Sequence, residues 1–156
     1  MIKDGFDMSQ TNYEMLKLEN QLCFPLYAAS REIVKKYKPY LDEIGLTYTQ
    51  YITMMIFWNE KQINVKELGK KLYLDSGTLT PVLKNLEAKG YVRRHRSLDD
   101  ERVLLVDVTD EGMQLREKAQ QIPANIVKCV KLSYDEALAL YRLLYKLLGD
   151  EKDYLK

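Results

Sequence analysis

The sequence predicts a mainly α fold with one small β-hairpin, an α+β arrangement, and three observations carry that prediction. Apolar residues recur at helical spacing through most of the chain. Between residues 91 and 108 the pattern switches to two β-rich runs, Val92-Arg93-Arg94-His95-Arg96 and residues 103–108, joined by the polar stretch 97–102. Residues that start or stop helices punctuate the rest at plausible intervals.

The elements follow in order. Leu18, Leu22, Leu26, Ile33 and Tyr37 fall close to one stripe and predict a long first helix over residues 13–37. Pro25 lies inside it and lacks a backbone donor, so a kink or a helix restart is expected there, two residues from Cys23. Lys38-Pro39 is expected to end this helix. Gly45 interrupts a short turn, and Thr47 or Thr49 caps a second helix over residues 51–58. Asn64 caps a short amphipathic helix over 65–72. The chain then turns at Asp75-Ser76-Gly77 before a helix through Leu79, Val82, Leu83 and Leu86 that stops at Gly90.

After the hairpin, Thr109 caps another helix, and Pro123 marks a bend or second start within 110–131. The last helix, over 134–148, places Leu138, Tyr141, Leu144, Tyr145 and Leu148 on one side, widened by Leu140, Leu143 and Leu147. A stripe that broad requires a large partner surface.

Composition sets the bounds. With 156 residues, 46% hydrophobic and 30% charged, the chain suits one soluble domain over 1–156, with a core at about 47–109 flanked by helical regions at about 13–43 and 110–150. No apolar run reaches the roughly 20 residues of a membrane span, and MIKDGFDMSQ lacks the pattern of a secretion signal, so a cytoplasmic protein without a membrane partner is expected. Two cysteines and one histidine argue against a disulfide scaffold or a structural zinc, and neither cofactor nor metal is expected. Charge is near neutral overall, yet residues 61–102 are basic while both flanks are slightly acidic. That points to where a polyanion would dock.

Two short helices joined by a tight turn and followed at once by a charged hairpin make up a winged helix-turn-helix. The second helix is narrow enough for a major groove, and the hairpin tip reaches an adjacent minor groove. Ser76, Thr78, Thr80 and Lys84 then lie near the exposed start of the groove-entering helix, while Arg93, Arg94, His95, Arg96 and Arg102 give the hairpin positive charge. Either feature alone is equally a solvated helix face or a charged turn. Together they are far more specific.

At this point a family resemblance emerges. Asp100-Glu101-Arg102, followed by Val103-Leu104-Leu105-Val106-Asp107-Val108-Thr109-Asp110-Glu111-Gly112, resembles the wing of the MarR family of transcriptional regulators. Leu74-Asp75-Ser76-Gly77-Thr78-Leu79-Thr80-Pro81 is similar to that family's recognition-helix entrance. The resemblance implies a homodimer on a pseudo-palindromic double-stranded operator, Arg102 inserted into the minor groove, and Asp100 orienting it. The segment Leu18-Glu19-Asn20-Gln21-Leu22-Cys23-Phe24, with Leu26-Tyr27 and Ala28-Ala29-Ser30-Arg31-Glu32, resembles the OhrR-type subgroup, repressors that sense organic hydroperoxides. It implies that Cys23 is the peroxide-reactive thiol, that Tyr37 and Tyr48 hydrogen-bond its thiolate across the dimer, and that Tyr27 is a further pocket residue. Pro25 departs from the subgroup's pattern. Within the family a second cysteine near position 129 closes a disulfide to the partner's sensor in some members, and others form a mixed disulfide with a low-molecular-weight thiol. Cys129 is thus a possible resolving residue, while Lys128 and Lys131 suggest an exposed helix face there.

The chemistry is coherent without the family. The thiolate, not the thiol, attacks a peroxide oxygen, and phenolic donors stabilise the anion. Apolar Leu22, Phe24 and Leu26 favour an organic peroxide over hydrogen peroxide. A lone cysteine on an apolar helix face is more commonly a packing residue. Two other readings compete: a MarR-type regulator released by a small apolar or phenolic ligand without redox chemistry, and a thiol peroxidase. The second is an enzyme reading, disfavoured because the chain has no CxxC motif and no thioredoxin-like βαβ pattern.

Overall fold

A computed structural model describes residues 13–149. Two sequence expectations lie outside the described residues: the missing secretion signal in the first ten, and the helical end at residue 150. The chain divides into two compact units, one ending at Pro123 and the other beginning at Ala124.

The first unit begins with two short 3-10 turns, Tyr13–Leu16 and Leu18–Asn20, followed by helix α1, Cys23–Glu43. The expected restart at Pro25 is therefore real, because Pro25 falls in the first turn of α1, where its missing N–H has no intrahelical partner to lose. The expected end at Pro39 is not. The helix runs through Pro39 to Glu43, and burial of Leu41 and Ile44 holds the last turn against the loss of a single bond.

Helix α2, Tyr48–Glu60, is capped by Thr47, whose side chain accepts from the Gln50 backbone while Gln50 Oε1 accepts from the Thr47 N–H at 3.0 Å. It is the central element of this unit, with Tyr51, Thr53, Met54, Phe57 and Trp58 all buried. Met54 and Phe57 are fully covered, and each contributes roughly 1.5–3 kcal/mol of apolar burial.

The sequence reading missed strand β1, Gln62–Asn64, whose polar–apolar–polar alternation spans only three residues, too few to stand out. Asn64 also caps helix α3, Val65–Leu72, its carboxamide oxygen accepting from Glu67 N–H at 2.8 Å. Tyr73 takes a left-handed conformation with φ 54° and ends α3. A methyl at Gly69 would sit 2.7 Å from the Leu74 carbonyl, so only glycine lets the turn close this tightly. Asp75 then caps helix α4, Ser76–Ala88, accepting from Thr78 N–H at 2.9 Å. Ser76 and Gly77 thus belong to the helix rather than to the turn.

Strands β2, Val92–Arg96, and β3, Leu104–Val108, pair antiparallel, and β1 adds to the free edge of β3, giving the order β1-β3-β2. Helix α5, Asp110–Ala119, is capped by Thr109, and α6 spans Ile122–Cys129, so the expected second start at Pro123 is present. In the second unit, helix α7, Tyr134–Leu147, opens on a capping box formed by Ser133 and Glu136. Leu143 and Leu147 on its apolar side are 60% and 61% exposed. Among the described residues no helix is long and apolar enough to cross a membrane.

Candidate nucleic-acid interface and thiol site

Helix α4 and the β2–β3 hairpin carry exposed polar and basic side chains. Leu79, Leu83 and Leu86 anchor α4 in the core, leaving Ser76, Thr78, Thr80 and Lys84 exposed on the other side. Thr78 Oγ1 donates to Asp75 Oδ2 at 3.0 Å, and Thr80 Oγ1 donates to the Ser76 carbonyl at 2.7 Å. Both hydroxyls use their proton locally and turn their lone pairs outward as acceptors. The Thr78 hydrogen bonds, backbone first, hold the Asp75 carboxyl below its ordinary range.

At the hairpin tip, Ser97 N–H bonds to the Val103 carbonyl and Val103 N–H to the Asp100 carbonyl, both at 2.9 Å. Arg102 projects into solvent with its side chain 91% exposed. Asp100 grips it from behind: Arg102 Nε lies 3.0 Å from Asp100 Oδ1 and Nη2 lies 3.2 Å from Oδ2. That bidentate pair keeps the Asp100 carboxyl below its usual range and fixes the guanidinium's direction. Arg93 and Arg96 are exposed along β2, and Arg96 Nη1 donates to the Arg102 carbonyl at 3.2 Å.

Arg94 departs from its expected role. Its Nη2 and Nε lie 2.6 and 2.8 Å from Glu87 Oε2, and its backbone N–H donates to Glu87 Oε1 at 2.9 Å. The pair bolts the base of the hairpin to α4 and, chiefly through the Arg94 side-chain bond, lowers the Glu87 carboxyl. Its signal in the sequence was an acid on the far turn of the helix seven residues before an arginine, a spacing that no periodicity rule singles out.

The expected thiol site is split. Cys23 is exposed in the first turn of α1, beside exposed Leu22 and Phe24. Tyr37 and Tyr48 meet elsewhere, ring centroids 5.0 Å apart and edge to face, with Tyr51 5.9 Å from Tyr37. Burial raises all three phenols above their ordinary value, with the neighbouring hydroxyls adding to the effect at Tyr37 and Tyr51. Fourteen residues of helix separate Cys23 from Tyr37, about 21 Å of rise, so one chain cannot bring the sulfur to its own phenols. Tyr27 is exposed, and its hydroxyl accepts from Arg31 Nη1 at 2.9 Å, one turn along α1. Cys129 is half-buried at the end of α6.

Comparison with known proteins places this geometry. Residues 35–119 match the family described as transcriptional regulator SarA/Rot. The chain is 47% identical over 139 residues to the organic hydroperoxide resistance transcriptional regulator of Bacillus subtilis (strain 168), covering 89% of this chain and 95% of that one. The chain belongs to the MarR family of transcriptional regulators, in its OhrR-type branch. Reduced AbfR bound to DNA superposes with a TM-score of 0.72 at 38% identity, covering 87% of this chain and 95% of AbfR, and overoxidised AbfR bound to DNA does so at 0.71 and 37%, covering the same shares of each chain. A mutant MarR from E. coli, complexed with operator DNA, reaches 0.70 at 27% identity, covering 90% of this chain and 99% of that one. The Bacillus subtilis relative is a regulator of organic hydroperoxide resistance, and AbfR is seen bound to DNA in both reduced and overoxidised forms.

Proposed function

We propose that this regulator is a homodimeric repressor that releases its pseudo-palindromic operator when an organic hydroperoxide oxidises Cys23. The observation that carries the reading is the split thiol site. An exposed sulfur flanked by Leu22 and Phe24 starts the helix whose far half carries Tyr37, which pairs with Tyr48 of α2 out of the sulfur's reach, and a second copy supplies the missing half. Tyr37 and Tyr48 of one subunit then donate to the Cys23 thiolate of the other, with Tyr27 lining the approach. The exposed apolar face of α7 gives the dimer a second surface to bury.

In the reaction the thiolate attacks the distal peroxide oxygen. An S–O bond forms, the O–O bond breaks, and the alkoxide takes a proton and leaves as an alcohol. Sulfur is oxidised by two electrons to sulfenic acid, and the peroxide is reduced. The sulfenic acid is a poorer partner for two phenols than the anion it replaces, so the seam repacks and the two reading heads lose their spacing. Cys129 of the partner, or a low-molecular-weight thiol, condenses with the sulfenic acid to a disulfide with loss of water. On DNA, Ser76, Thr78, Thr80 and Lys84 face the major groove, Arg93 and Arg96 lie along the phosphates, and Arg102, held by Asp100, enters the minor groove. Arg94 contributes by fixing the hairpin to α4.

The test is Cys23→Ser. This variant binds a duplex carrying the promoter of its own gene as the native chain does, and cumene hydroperoxide no longer dissociates it. If oxidant still releases Cys23→Ser, the sensor assignment is wrong.

One feature supports a second reading. A cleft of about 900 Å³ opens between α2 and α5, with Tyr51, Met55 and Trp58 on one wall and Met113, Arg116 and Gln120 on the other. That cleft suits a small apolar or phenolic effector, and release of Cys23→Ser by such a ligand would favour it.

A further inference from the structure

Two aromatic residues have no part in the redox chemistry above, though both line the cleft: Tyr51, the third phenol, and Trp58, the chain's only tryptophan. Their rings are edge to face at 6.1 Å, so with Tyr48 of α2 and Tyr37 of α1 they form a continuous row, Tyr48–Tyr37–Tyr51–Trp58. At the end of the row, Trp58 is 9% exposed and its indole N–H donates to the Gly112 carbonyl at 2.8 Å.

Gly112 is pressed against the wing. A methyl there would lie 2.2 Å from the Tyr91 carbonyl and 2.8 Å from Val108 Cγ2. Just before it, Thr109 N–H donates to the Tyr91 carbonyl at 3.1 Å and Thr109 Oγ1 to the Gly90 carbonyl at 2.6 Å. Val108 N–H in turn donates to the Lys61 carbonyl at 2.9 Å. The C-terminal end of α2 therefore holds the base of the hairpin at two points, while its first turn, about 15 Å away, carries Tyr48, which packs on Tyr37 of α1.

We propose that Trp58 is a positioning residue for the wing: its bond to the Gly112 carbonyl transmits the setting of α2, fixed at the phenol end, to the hairpin that carries Arg102. Burial accounts for the ring. The directed N–H bond goes further, because it ties α2 to the one turn of α5 that cannot move without the wing. The regulatory half of this inference rests on the hydroperoxide reading, and the positioning half does not.

A double-mutant cycle on the full-length reduced protein tests the positioning half. Trp58→Phe keeps an aromatic ring against Tyr51 and removes the N–H donor together with one ring of the indole, a packing loss that both backgrounds of the cycle share. It weakens binding to the own-promoter duplex about five- to tenfold in the native background and less than about twofold in the Arg102→Ala background, because a wing without its arginine gains nothing from being aimed. Equal losses in both backgrounds, or none in either, would overturn the proposal in favour of mere packing. The single indole N–H also gives an NMR reading in the otherwise native chain, useful if Trp58→Phe does not fold. Its resonance moves when Tyr48→Phe is introduced and when the duplex is added, and a resonance fixed through both changes would equally defeat the coupling. A hydroperoxide arm separates the two readings. If the native chain keeps its DNA under oxidant, the redox reading fails while the cycle still decides the role of Trp58. If the native chain releases, the oxidised-to-reduced affinity ratio is smaller in Trp58→Phe, and an undiminished ratio refutes transmission through the indole.

Discussion

Arg94 and Arg102 sit on one hairpin and have different fates, and the difference is set by which carboxylate each one finds. Arg94 faces Glu87 across a partly covered seam and is held by three hydrogen bonds, which makes it a fixture of the scaffold. Arg102 finds Asp100 two residues away, on the same exposed tip, so its charge remains available to DNA while its direction is set in advance. Removing it therefore costs affinity without disturbing the fold. Arg102→Ala is expected to weaken operator binding at least tenfold and to make the log–log salt dependence shallower by about 0.9, one neutralised charge's worth. An unchanged slope in a salt titration would count against insertion of the wing. The arginines of the hairpin looked alike in the sequence because side-chain partners across a seam leave no periodic trace, whereas the Asp100–Arg102 pair, local and in register with a family motif, was legible.

At the scale of elements, α1 and α2 meet through phenols, and pH is the lever that tests the contact. Burial holds Tyr37, Tyr48 and Tyr51 above the ordinary phenol value, so each binds its proton more tightly folded than unfolded. Such groups contribute stability that is fully present below about pH 10 and lost as pH rises through the folded value. The urea midpoint should therefore fall as pH rises above about 10, and fall less in Tyr48→Phe; identical alkaline profiles would remove the phenols from the account. Most helices were legible because their caps are local: Thr47, Asn64 and Thr109 each start the helix expected of them. The failures were tertiary. Pro39 signals an end in any single-sequence reading, yet burial of Leu41 and Ile44 outweighs one missing bond. Strand β1 exists only because the edge of β3 is there to receive it.

For the whole molecule, one length matters most. In the proposed dimer, the roughly 21 Å of α1 between Cys23 and Tyr37 makes the thiol site a property of two subunits. Sensor and reading heads then belong to one symmetric object, in which a change at the seam alters both half-site contacts at once. The family motifs named the residues proposed for each half-site, and the length that separates them within one chain follows from α1 running unbroken from Cys23 through Pro39 to Glu43.

The most direct measurement is a gel shift of the native protein on its own promoter, reduced, then treated with an organic hydroperoxide, then with dithiothreitol, with the mass of the Cys23 peptide followed at each step. The account predicts loss of the shifted band together with oxidation of Cys23, and return of both on reduction. A band that persists while Cys23 is quantitatively oxidised would contradict it.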